Sequence, residues 1–133
     1  MTPGPDPPGR DALGELIGIE HLEAGEGFAR ARVPVTDRIL QPYGLVHGGV
    51  YPVVAETVCS QATFDAVKGE GRLAFGQSNN ATFVRPISEG HVNADARARH
   101  RGRTSWVWEV EITDDEGRLC ALVQVVVAVR ERG

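Results

Sequence analysis

The chain is expected to fold as an α+β domain, one long helix packed on a mostly antiparallel sheet. Two observations carry that expectation. Residues 48–68 place small and apolar side chains (Val50, Val53, Val54, Ala55, Val58, Cys59, Ala62, Ala66 and Val67) around most of a helical circumference, as in a helix covered on most sides. Residues 73–84, 91–101, 104–113 and 119–130 then read as four strands, and Asp114, Asp115, Glu116 and Gly117 turn the last two into a hairpin. Strands gathered after one helix, rather than alternating with several, argue against a doubly wound α/β sheet.

Taken in order, residues 1–10 carry four of the eight prolines and two glycines, which resist both helix and ladder, and are expected to form a mobile tail ahead of a domain spanning 11–133. Asp11 is placed to cap a short helix through Leu13, Leu16 and Ile17, with Gly18 as its stop. Residues 19–23 and 27–35 form a hairpin across Ala24, Gly25 and Glu26, its second strand partly alternating between apolar positions and Arg30 and Arg32. Residues 36–46 contain Pro42 and Gly44, lack a period, and are read as a loop. The long helix ends at Gly69-Glu70-Gly71. Pro52 near its start requires that the regular helix begin later than Gly48 or bend there. On it Glu56, Ser60 and Thr63 fall along one stripe. The last strand is apolar on both faces, so it needs cover on both sides. One helix covers only one, and the expected source of the rest is a second copy, as a homodimer or larger homo-oligomer.

At 133 residues and 14.3 kDa the chain has room for one domain, and 41% hydrophobic with 24% charged residues suits a globular core. Fourteen Lys and Arg against 18 Asp and Glu give a net charge of -4 and a pI near 5.5. Nucleic acid is therefore not the expected partner, although a small anion needing two or three local cations stays open. Cys59 and Cys120 lack metal-finger or disulfide-framework spacing and are expected as reduced, buried thiols. No run approaches a membrane span, and the first ten residues lack a secretory apolar core. A cytoplasmic location with no membrane partner is the expectation by elimination.

The chemistry concentrates in Gln41-Pro42-Tyr43-Gly44-Leu45-Val46-His47-Gly48-Gly49, which runs directly into the long helix. Glycines at a helix N-terminus expose unpaired N–H groups at the positive end of the helix dipole, suited to an anion or to the oxyanion that grows on an attacked carbonyl. The plainer reading is a loop-to-helix turn that needs glycine. Glu56, among valines, would be costly to bury as a carboxylate unless paired or used, and burial would raise its basicity toward that of a general base. Its alternative is a solvent-facing or interface carboxylate. Ser60 can orient a water or simply pack. His47 has no second ligand at helical spacing, so metal binding is not expected; an N-terminal cap or structural hydrogen bond is the other reading. His21, His91 and His100 are expected to be solvated. Arg97, Arg99, Arg101 and Arg103 at period two are expected on one strand face and the loop after it, as a wet surface or as cations for a phosphate.

Residues 41–56, Asn80-Ala81-Thr82, Arg85-Pro86, Ser88-Glu89-Gly90 and His100-Arg101-Gly102-Arg103 together resemble the hotdog-fold acyl-CoA thioesterases of the phenylacetate-pathway type. The most specific part is His47-Gly48-Gly49 with Ala55-Glu56 on the following helix. The resemblance implies an antiparallel sheet of five or six strands wrapped around one central helix, a dimer with two interface sites, hydrolysis of a CoA thioester, and no cofactor. It implies that the Gly48 N–H polarises the thioester carbonyl with help from Gln41. Glu56 would activate water or attack directly, Ser60 would help place the nucleophile, and His47 would position the thioester or support the loop. Gln41 and Gly48 would come from one chain, Glu56 and Ser60 from the other. Gly49 and Phe83 would line the substrate site, and Arg103, Thr104 and Ser105 would lie where the CoA nucleotide binds.

Where members of this family carry a histidine after Asn-Ala-Thr, this chain has Phe83 and Val84, so an apolar acyl or aryl group is expected. The same residues admit three rivals: a hydratase or dehydratase using His47 and Glu56 as its acid/base pair, a non-catalytic acyl-CoA-binding protein, and a purely structural dimer with no affinity for CoA.

Overall fold

A computed structural model describes residues 9–132. Most of the expected tail thus lies outside the described residues. The first helix, α1 (Ala12–Ile17), forms as the capping signals require: the Asp11 carboxylate accepts the Gly14 N–H at 3.0 Å, and Gly18 ends the helix at φ +88°. Strands β1 (Glu20–Gly25) and β2 (Phe28–Pro34) follow. Their turn is Glu26-Gly27 rather than 24–26, because Gly27 supplies the positive φ and leaves Ala24 and Gly25 in the ladder. The expected loop contains one short 3-10 turn, Asp37–Ile39.

Helix α2 runs Val50–Val67, so it begins after Gly48. Pro52 then stands third in the helix, where an N–H has no intrahelical acceptor to lose, and no bend is needed. A 3-10 turn, Lys68–Glu70, leads to β3 (Arg72–Phe83), β4 (His91–Arg101), β5 (Ser105–Thr113) and β6 (Leu119–Glu131). The strands form one six-stranded sheet in the order β1-β2-β4-β5-β6-β3, every pair antiparallel, with β1 and β3 at its edges. β3 holds an extra residue, Gln77, between Gly76 (opposite Val127) and Ser78 (opposite Val126).

The core lies between α2 and the inner sheet face. Val54 and Val58 meet Val33, Val92, Val110, Val125 and Val127, all essentially inaccessible to water. Such β-branched residues suit strands, and their presence in α2 shows packing outweighing helix propensity. Trp108 is fully buried, stacks on Trp106 at 6.0 Å, and donates its indole N–H to Thr63 Oγ1 at 2.9 Å. On β6 the inner residues Val123, Val125, Val127 and Val129 are covered, whereas Leu122 on the outer side remains 41% exposed. The second layer of cover that this strand calls for is not supplied by the described residues.

Candidate active site

The predicted residues gather in three places. The first is the entrance to α2. The Gln41 N–H donates to Leu45 O at 2.7 Å, the Gly44 N–H returns to Gln41 O at 2.9 Å, and the Gln41 side-chain oxygen accepts the Tyr43 N–H. Val46 N–H to Ile87 O and His47 N–H to Ile39 O, both 2.8 Å, fasten this loop to the body. His47 Nδ1 accepts the Gly49 N–H at 2.8 Å, so the histidine acts as a cap and its neutral ring carries the proton on Nε2. Of the two glycine amides, Gly49 is thereby satisfied. The Gly48 N–H donates to no group among the described residues and lies just ahead of the helix, where the peptide dipoles present their positive end.

Gly48 also stands in close approach to a side chain. A Cβ there would stand 2.9 Å from the Phe83 ring, which tilts against Tyr51 with centroids 5.7 Å apart. Gly48, Tyr51, Phe83, Val84 and Arg85 line a cavity of about 300 Å³, so Phe83 walls the space beside the unpaired amide with an apolar surface.

The second place lies about two turns along α2. Glu56, Thr57, Ser60, Gln61 and Phe64 face a cavity of about 530 Å³ whose opposite wall is Leu73, Ala74 and Phe75 of β3, with Asp11, His21 and Arg132 also at its margin. Of the two readings of Glu56, buried among valines or facing solvent, the protomer shows the second. It is exposed in the protomer, because this flank faces β3 at the open edge of the sheet. Its carboxyl lies against Gly76, where a Cβ would come within 2.6 Å of Cδ, and accepts the Asn79 side-chain N–H at 3.3 Å. The expected stripe is corrected. Ser60 shares the cavity with Glu56, but Thr63 is wholly buried, donating to Cys59 O at 2.8 Å and accepting from Trp108. At about 100° per residue, Ser60, Phe64, Thr57 and Gln61 fan out to one side of Glu56, toward the cavity, and Thr63 falls on the other, beneath the sheet.

The third place is the β4–β5 turn. Thr104 and Ser105 contribute backbone: Thr104 O accepts Val129 N–H at 2.9 Å and Arg130 Nη1 at 2.8 Å, and Ser105 O accepts Gly102 N–H at 2.9 Å. Arg103 is exposed and makes no ion pair among the described residues. None of the three lines either cavity above. The arginine run does not share one face, because the register slips between Ala98 and His100. Arg97 approaches Asp95 at 3.6 Å, Arg99 approaches Glu109 at 3.4 Å, and Arg101 turns inward over the Trp106 ring at 6.0 Å. Of the strand histidines, His21 borders the Glu56 cavity, and half-buried His91 contacts Asp115 Oδ2 at 3.0 Å.

Sequence reasoning missed Thr57, Gln61 and Phe64, which helical spacing from Glu56 would have found. It also missed Gly76 and Asn79, for which no spacing rule exists across an irregular strand. Both cysteines are free and buried. Burial pushes each thiol above its usual value, with the Glu56 carboxylate adding to the effect at Cys59, so neither has thiolate character.

An open amide at the entrance of one long helix and a carboxylate on its flank, both bordered by a six-stranded antiparallel sheet, sit on a hotdog fold. Residues 43–121 match the family model of the thioesterase superfamily, and the chain belongs to that family of hydrolases. It is similar to the Mycobacterium tuberculosis protein Rv1847, whose name calls it an esterase only provisionally (40% identical, 94% of each chain). The solved Rv1847 structure superimposes with a TM-score of 0.86 over 91% of this chain and 98% of that one. The proofreading thioesterase EntH of Klebsiella pneumoniae is 38% identical over 85% of this chain and 82% of its own. A glutamine-to-alanine variant of the thioesterase PA1618 of Pseudomonas aeruginosa is 33% identical with a TM-score of 0.86, covering 90% of this chain and 86% of that one. Among the described residues no helix is long and apolar enough to cross a membrane.

Proposed function

We propose that this protein hydrolyses an acyl-CoA or aryl-CoA thioester to the carboxylic acid and free CoA, acting as a homo-oligomer with sites between protomers. The observation that carries the reading is the division of α2. Its entrance offers the unpaired Gly48 N–H, its flank holds the Glu56 carboxylate, and the two lie in separate cavities of one protomer. In this reading a thioester takes the amide from one protomer and the carboxylate from its partner, as the resemblance to the hotdog acyl-CoA thioesterases implies. The Gly48 N–H, with help from Gln41, stabilises negative charge on the carbonyl oxygen. Glu56 either removes a proton from water as its oxygen attacks the carbonyl carbon, or attacks that carbon itself to give an anhydride that water then opens. In the first route the C–S bond breaks and the sulfur leaves with the proton taken from water; in the second it leaves as the thiolate and gains its proton from the water that opens the anhydride. Ser60 shares the Glu56 cavity and helps place the nucleophile, while Phe83 favours an apolar acyl or aryl group.

Solved structures related to this chain support the pairing of Gln41 with Glu56. The Staphylococcus aureus protein SAV0944 was crystallised with a glutamate and, separately, a glutamine replaced by alanine, positions fifteen residues apart, as Gln41 and Glu56 are. The test is release of free thiol from short, long and aromatic CoA esters, with Glu56→Ala alongside. Turnover of at least one ester is expected, and Glu56→Ala is expected to lose at least ~100-fold in kcat. A variant that keeps the parent rate removes Glu56 from the chemistry.

A further inference from the structure

We infer that Asn79 is the residue that holds the Glu56 carboxylate in its working position, an assignment that rests on the role proposed for Glu56. The Asn79 side-chain N–H₂ lies between two acceptors, the Pro52 carbonyl at 2.9 Å and Glu56 Oε1 at 3.3 Å. Only the nitrogen can face two oxygens, so the amide has one orientation. Its Oδ1 is left buried with no donor. A buried acceptor without a partner is a cost to folding, of the kind found where an arrangement serves function. Nothing about folding demands an asparagine here, because the opposite residue on β6 is the buried Val125 and an aliphatic side chain would continue the core.

The backbone is shaped for the same purpose. Gly76 and Asn79 are three residues apart and in a regular strand would point to opposite faces. The extra residue Gln77 between them restores both to the helix side, opposite inner Val127 and Val125. Gly76 leaves room for the carboxyl, and Asn79 supplies the hydrogen bond that stops an exposed glutamate from sweeping through its rotamers. The Pro52 carbonyl ties the same amide to the first turn of α2, so the position of the carboxyl is referred to the entrance that carries the Gly48 amide.

The experiment uses the full chain and two variants, Asn79→Ala and the isosteric Asn79→Asp. With the thioester found to turn over, both are expected to lose about ten-fold or more in kcat while KM stays within about two-fold and Tm is kept. Asn79→Asp should be the slower, because it sets a second carboxylate against Glu56. A loss confined to KM or Tm overturns the assignment, since that is the signature of a structural residue. A second readout is independent of turnover. The side-chain amide cross-peaks of Asn79, assigned by their disappearance in Asn79→Asp, should shift in Glu56→Ala, and cross-peaks that stay in place overturn the inference. A parent protein that releases no thiol while these peaks shift would overturn the hydrolase reading and leave the Asn79–Glu56 contact established.

Discussion

Thr63 shows how one hydroxyl can belong to the fold while its helical neighbours belong to the site. It donates to Cys59 O and accepts the Trp108 indole N–H, both residues being fully buried. Thr63→Val keeps the shape but strands that donor, and is expected to lower unfolding free energy by about 1–3 kcal/mol, read as a shift in denaturant midpoint. Thr63→Ser should lose less, because it keeps the hydroxyl. The sequence placed Thr63 with Glu56 and Ser60 on sound helical geometry. What it could not show is where the sheet stops covering the helix, and that margin passes between Glu56 and Thr63. For the same reason Glu56 takes the solvent-facing of its two readings: its valine neighbours are sequence neighbours, pointing elsewhere on the helix.

Among the elements, the β5–β6 turn is the clearest electrostatic device. The Asp114 carboxylate accepts the backbone N–H groups of Arg118 at 2.9 Å and Glu116 at 3.0 Å, and Arg118 Nε at 2.7 Å. The Arg118 N–H foremost holds its pKa below the ordinary 3.8. A carboxyl whose folded value is depressed adds stability above its unfolded value and loses it as pH falls through the folded one. Asp114→Asn is therefore expected to lower Tm most at neutral pH, the gap to the parent narrowing as the pH is taken below 3.8. That turn was legible from Asp114 to Gly117, as were the capped α1 and the long helix, because each is written in local signals. The start of α2 was legible only as a choice, since Gly48, Gly49 and Pro52 send conflicting messages. His47 resolves it by capping Gly49. The irregularities of β3 and β4 left no trace in the pattern, which is why Asn79 was missed and the arginines were assigned one face.

For the molecule as a whole, the division of the site between two cavities predicts complementation. Gln41→Ala and Glu56→Ala should each be weak alone. If amide and carboxylate come from different protomers, mixing the two variants under exchange conditions assembles one intact site in each mixed dimer. Activity is then expected to recover to about a quarter of the parent's, from half the sites in half the dimers. No recovery, with mixed dimers demonstrated, would place both groups in one chain.

The spare residue at position 77 also constrains how this chain can change over time. Shortening β3 by that single residue would reverse the facing of everything on one side of it, sending either Gly76 or the group of Asn79, Ala81 and Phe83 outward. The carboxylate's cradle and the ring beside the Gly48 amide are thus indexed to one another along a single strand. Descendants of this sequence are free to vary the length of surface turns, but not the count between those two points.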